Sequence, residues 1–281
     1  MSTTLLTGGH IHSPSHPYAT AMAVVDGTVA WLGDDGPAKA LHPDADVVDL
    51  KGAFVAPAFV DPHVHITDTG LGLVGLDVTG ARSLRECLEF LTDHASAHPD
   101  ERIVWGHGWD ESAWPEGRPP SVAELEHAAP GRDVYLARVD AHSAVASSGL
   151  MVAAGLADAG RGEAGSGPGS WPLVGTEHHA VRDRARGLIS PALADIARRA
   201  ALDLAASRGI VAVHECGGPA ISGHDDFRAV LELDHDVAVR GYWGEAVASP
   251  EQARSLLAEH GAHALGGDLF VDGALGSRTA W

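Results

Sequence analysis

Two histidines stand one residue apart, His63 and His65, after the apolar run 54–60 and the dipeptide Asp61-Pro62 in AFVAPAFVDPHVHITDTG. In an extended strand, residues two apart share a face. Both imidazoles therefore aim at one point beyond the strand end, with Val64 turned into the packing. Two neutral imidazoles converging on one point are half of a divalent-metal site, and imidazole suits Zn2+ and its neighbours. The same spacing at His10-Ile11-His12 follows Gly8-Gly9 and has no buried run before it, so that pair is not expected to ligate. His178 and His179 are adjacent and read as loop or surface. The chain has 18 histidines, so a lone histidine carries little weight.

The elements around this pair follow from periodicity. Residues 1–57 read as short strands and turns that precede any helix, with Asp26-Gly27 as a hairpin signal. Residues 58–80 hold the strand end that carries the histidines and the loop after it. The strand before them, 54–60, reads as buried. Residues 81–189 form a less regular α/β segment. Within it Ser83 and Glu86 make a capping box, and Leu84, Cys87, Leu88 and Leu91 share one helical face. GRGEAGSGPGSWP reads as a flexible Gly-rich loop. From 190 to 281 strands and helices alternate. Ser190-Pro191 and Ser249-Pro250 cap helices that end at Gly209 and Gly261. Apolar strands alternating with helices imply parallel βα units. Strands at 54–60, 210–214, 237–243 and 268–272 make four, half of a (β/α)8 TIM-type barrel, whose active sites gather at C-terminal strand ends. Polar residues stand there: His214-Glu215, Glu245 and Asp272.

Composition narrows the function classes. Lys+Arg 19 against Asp+Glu 38 gives a net charge of −19, which argues against nucleic acid or an anionic membrane surface as partner. No apolar stretch approaches a membrane span and no signal peptide is visible at the N-terminus, so the expectation is a cytoplasmic protein. Cys87 and Cys216 lie in no C-x-x-C pair and read as buried thiols.

FVDPHVH resembles the first-strand motif of the amidohydrolase superfamily. WGHGWDESAWPEGRPPSVAEL, VYLARVDAHSAVASSGL, GIVAVHE and GGDLFVDGALGSRTA resemble, in order, the motifs of its YtcJ-like, amidohydrolase-3 branch, which includes N-substituted formamide deformylases. The match runs from about residue 5 to the last residue. The resemblance implies a distorted (β/α)8 barrel, a small β-sandwich built from both chain ends, and an insertion after the first strand. It implies a metal-activated water that cleaves a non-peptide C–N bond in a small amide, formamide or cyclic amide.

Carried over position by position, His63 and His65 match the first two metal ligands. Asp268 stands where many relatives have a carboxylated lysine bridging two metals. A short carboxylate favours a single ion, most simply Zn2+, although Asp268 also reads as a loop residue. His214 matches a site histidine, or is a core histidine. Arg138, Asp140 and His142 resemble a segment laid over the pocket. Trp109 and Asp110 read as pocket wall or as structural residues. Asp272 faces the site or forms a turn. Arg278 holds a substrate anion or a carboxylate of the fold. No counterpart is found for the later histidines or for the catalytic aspartate, which the family places beyond residue 281. The chain is thus expected to be an N-terminal half, with strands 54–60 and 268–272 each lacking a neighbour. The alternatives are one subunit of a split enzyme, completed by a chain supplying the missing barrel half, or a non-catalytic metal-binding half-barrel, alone or as a homo-oligomer.

Overall fold

The computed structural model describes residues 2–156, 171–269 and 272–280. Contacts divide the chain into two units, Met1–Phe59 and Val60–Trp281.

The first unit runs β1 (Thr3–Thr7), β2 (His10–Ile11), β3 (Ala21–Val25), β4 (Thr28–Gly33), α1 (Asp35–Leu41), β5 (Asp46–Asp49) and β6 (Phe54–Val55). Its main sheet has the order β4-β3-β1-β5, and β2 pairs with β6 in parallel. Asp26 (φ 47) and Gly27 (φ 80) turn β3 into β4, as a two-residue hairpin with both central φ angles positive requires. The helix α1 corrects the expectation that no helix interrupts this region. Pro37 falls in its first turn, where a missing N–H costs nothing, and Ala38 joins Leu5, Ala21 and Ala23 in the core.

The second unit begins in β7 (Phe59–Val64). It continues through α2 (Ile66–Val74), β8 (Leu76–Asp77), α3 (Leu84–Ala97), β9 (Ile103–Trp109), α4 (Val122–Ala128), β10 (Asp133–Arg138), β11 (Ser143–Ala146) and α5 (Ser148–Ala153). Then come β12 (Leu173–Val174), α6 (Gly175–Arg186), α7 (Pro191–Ser207), β13 (Ile210–Gly217), α8 (Gly223–Leu231), β14 (Ala238–Trp243), α9 (Pro250–His260) and β15 (Ala264–Leu265). Two sheets result, in the orders β12-β11-β10-β9-β8 and β15-β14-β13-β7. In the second, β13–β14 and β14–β15 are parallel. The fold is mixed α/β, and no closed barrel is formed among the described residues. Among those residues no helix is long and apolar enough to cross a membrane.

Helix starts follow the sequence closely. The Ser190 and Ser249 hydroxyls accept from the amides of Leu193 and Gln252, and Gly261 ends α9 at φ 65. At α3 the box is only half made: Ser83 accepts from the Glu86 amide, but the Glu86 carboxylate takes the amide of Arg82. The complete box belongs to Ser121 and Glu124 on α4. Cys87 and Cys216 are buried free thiols.

Two strands differ from expectation. The run 54–60 is not one buried strand, because Pro57 has no N–H for a ladder. Its first residues form β6, and β7 starts at Phe59. β7 lies at a sheet edge, which leaves Phe59 and Val60 exposed at 69% and 48%. Among the described residues the fourth strand of this sheet is β15, ahead of the expected 268–272. Gly266 (φ 145) and Gly267 (φ 90) end it, Asp268 and Leu269 lie outside any strand, and 270–271 fall outside the described residues. Most of the Gly-rich stretch also falls outside them.

One glycine sets the approach of the helix behind the histidines. A Cβ on Gly70 would lie 1.9 Å from the Ala197 carbonyl oxygen, so only glycine lets α2 rest on the backbone of α7.

Candidate metal centre

The histidine pair closes β7, with Val64 packed toward Ile66, Leu202 and Val213. The His63 amide donates to the Asp61 carboxylate at 3.1 Å, which fixes the last turn of the strand. Opposite, the two glycines after β15 bring Asp268 round. A Cβ on Gly267 would sit 3.1 Å from Cys216 Cβ, so this segment lies tight against β13. Asp268 Oδ1 is 3.0 Å from His63 Nε2, and Oδ2 is 3.1 Å from His65 Nε2. The imidazole centroids are 5.5 Å apart at 81°.

One donor atom from each of these three residues lies within 4.8 Å of the others. Two imidazoles and a carboxylate are the donor types of a catalytic zinc site, which keeps a further position open. Burial pushes the His65 pKa down, against the opposing pull of Asp268, and so favours the neutral imidazole that ligates. The donor set fits a divalent ion. His10 and His12, both exposed, join no such three-ligand group among the described residues.

The group opens into a cavity of about 940 Å3. Trp105 and Leu73 give it apolar walls, and Asp77, His107, His142 and Arg182 add polar ones. His142 and Asp272 are the only other proposed site residues that line it.

The rest lie elsewhere. Trp109 is fully buried, with its indole N–H donating to the Leu136 carbonyl at 2.9 Å and Arg138 stacked 5.8 Å from its ring. Arg138 is held by Asp110 at 3.0 Å and Glu111 at 2.9 Å, and its third carboxylate neighbour is Asp140. This cluster of one guanidinium and three carboxylates does not line the cavity. His214 packs on Tyr242, centroids 5.0 Å apart, and Arg278 is exposed at φ 56. Two of the sequence motifs do meet. A Cβ on Gly276 would come within 2.7 Å of Asp140 Cβ, so the GALGS turn rests on the VDAH segment.

The structure gives places to residues for which the sequence proposed no role in the site. His178 is not on the surface. It is fully buried on α6, and its Nε2 meets the Tyr135 hydroxyl at 2.8 Å. Burial, with Arg182 nearby, drives its pKa down to about 3. Asp77 faces His107 across 3.9 Å in the cavity wall. Glu215 is 2% exposed and accepts from the Ile66 amide at 2.7 Å. Burial raises its pKa to about 8. The strand period could have found it, since Val213 and Glu215 share the inward face of β13 and His214 does not.

Comparison with known proteins gives the chain its relatives. LONG AFTER FAR-RED 3 of Arabidopsis thaliana is 27% identical over 98% of this chain and 51% of its own length. YtcJ of Bacillus subtilis is 25% identical over 92% of this chain and 52% of its own. The N-substituted formamide deformylase of Arthrobacter pascens is 29% identical over 49% of this chain and 26% of its own. The chain thus spans about half the length of the first two relatives. Among solved structures, an uncharacterized metal-dependent hydrolase from Pyrococcus furiosus superposes with a TM-score of 0.67 at 24% identity, over 98% of this chain and 58% of that one, a likeness of fold. The model of the amidohydrolase family matches residues 46–281, and the chain belongs to that family.

Proposed function

We propose that this chain carries the first part of a metal-dependent hydrolase site that cleaves a non-peptide C–N bond in a small amide, formamide or cyclic amide. The observation that carries the reading is the single carboxylate of Asp268 facing both His63 and His65 in the lining of the cavity. These residues would hold one divalent ion, most simply Zn2+. Bound there, such an ion polarises a substrate carbonyl and brings the pKa of a coordinated water toward roughly 7.

The chain's own groups do the rest. Trp105 and Leu73 exclude water from an apolar substituent, and Asp77, His142 and Arg182 offer polar partners that orient the amide. We read the run β7, β13, β14, β15 as an arc of a (β/α)8 barrel and the Met1–Phe59 unit as part of a β-sandwich. Family membership and the P. furiosus fold support both readings.

The test uses the complete polypeptide containing these residues, loaded with Zn2+ and assayed for amine release from N-formyl amines, N-acyl amines and cyclic imides. Turnover should vanish with a chelator and in His63→Ala. Turnover indifferent to both, or none across the panel with metal bound, overturns the proposal.

A further inference from the structure

The first turn of α2 follows His65 directly, and polar partners from elsewhere in the second unit hold its first three residues. The Ile66 amide donates to Glu215 of β13 at 2.7 Å. The Thr67 hydroxyl donates to Asp226 of α8 at 2.9 Å, and Arg198 of α7 donates to both, reaching Thr67 at 3.2 Å and Asp226 at 2.6 Å. Asp68 is ion-paired with Arg186 of α6. The His65 carbonyl takes the amide of Thr69 at 2.8 Å. The single peptide group that joins His65 to Ile66 is therefore hydrogen-bonded at both its C=O and its N–H.

Such a grip is not what helix initiation alone needs. The cap position is His65, and its side chain makes no capping bond. An exposed amide at this position would be answered by water. Here the acceptor is instead a nearly fully buried carboxyl group, and burying one is unfavourable unless something compensates. Glu215 does not line the cavity, so it does not touch substrate. Resting on the metal-centre reading above, we infer that Glu215 is a positioning residue: by holding the Ile66 amide it sets the direction of the His65 imidazole toward Asp268, with Asp226, Arg198 and Arg186 fixing the next two residues. Partners of this kind behind a metal ligand contribute 10- to 100-fold to metal affinity.

Glutamine keeps an oxygen for the Ile66 amide, and leucine does not. The test is a Co2+ titration of the chain followed by visible absorption, with hydrogen exchange at the Ile66 amide measured alongside. Glu215→Gln should keep the wild-type spectrum, affinity and protection. Glu215→Leu should lose protection at Ile66, bind Co2+ about 10- to 100-fold more weakly and show an altered band. If Glu215→Leu does not fold, Thr67→Val removes the second grip and should weaken Co2+ in the same direction. A folded Glu215→Leu that binds as wild type overturns the inference. So does Glu215→Gln weakening as much as Glu215→Leu, or, where leucine does not fold, Thr67→Val binding as wild type. Wild-type chain that binds no Co2+, or binds it equally after His63→Ala/His65→Ala, overturns the metal-centre reading and the positioning role with it. Exchange at Ile66 then still reports whether Glu215 holds that amide.

Discussion

Replacing Glu215 by glutamine should change how stability depends on pH. The carboxyl is 2% exposed, and burial raises its pKa from 4.5 to about 8. Asp226 and Asp68 push in the same direction, while the Ile66 amide and Arg186 oppose it. The folded state thus binds a proton that the unfolded chain releases above pH 4.5. The contribution to stability is fully present below 4.5 and is lost as pH rises toward 8. At about 1.36 kcal/mol per pH unit, the loss between pH 5 and pH 8 is on the order of 3 kcal/mol. Glutamine has no such proton and still accepts from Ile66. Urea denaturation of both proteins from pH 5 to pH 8 cancels the other titrating groups in the difference. Glu215→Gln should gain on wild type steadily, by about 3 kcal/mol over that range. Parallel stability curves would show that Glu215 is ionised in the fold and that its burial has been misjudged.

Further outcomes follow from other contacts. Gly70→Ala drives a methyl group into the Ala197 carbonyl. It should destabilise by roughly 1–3 kcal/mol in thermal melts, and an unchanged Tm would refute the close approach of α2 to α7. Tyr135→Phe leaves the buried Nε2 of His178 without its 2.8 Å partner and should cost about 1–3 kcal/mol; a neutral result would mean the pair is not buried. His178, with its pKa lowered to about 3 by burial, should make the protein lose stability as pH falls below 6.5. His178→Gln should flatten that limb of the denaturation profile, and an unchanged limb would place the acid sensitivity elsewhere.

The parts legible in the sequence share a local cause. Ser190-Pro191, Ser249-Pro250 and Asp26-Gly27 act through neighbours a few residues away, so their helices and hairpin stand where propensity puts them. The pair at 63 and 65 could be read from a strand's two-residue period. Its meeting with Asp268 came from resemblance, because no local pattern relates segments so distant in sequence. What was missed depends on tertiary packing. Helix α6 is so polar, GTEHHAVRDRAR, that it gives no apolar stripe, yet it buries His178, Val181 and Ala185 on one face. Trp109 read equally as pocket wall or as a structural residue, and Arg138 was placed over the pocket by resemblance. Here the indole fills the core, and the guanidinium is consumed by Asp110 and Glu111. Glu215 was noted with His214 at a strand end but given no role, since a carboxylate carries no hint of burial until the strand's inward face is known.

The metal centre is tested most directly by Zn2+ content and affinity in four proteins: wild type, His63→Ala/His65→Ala, Asp268→Ala and His10→Ala/His12→Ala. Wild type and the His10/His12 variant should each hold about one tight ion per chain, and the other two should lose it. Equal retention in all four, loss confined to the His10/His12 variant, or two ions bound at His63 and His65 would contradict a single site built from His63, His65 and Asp268.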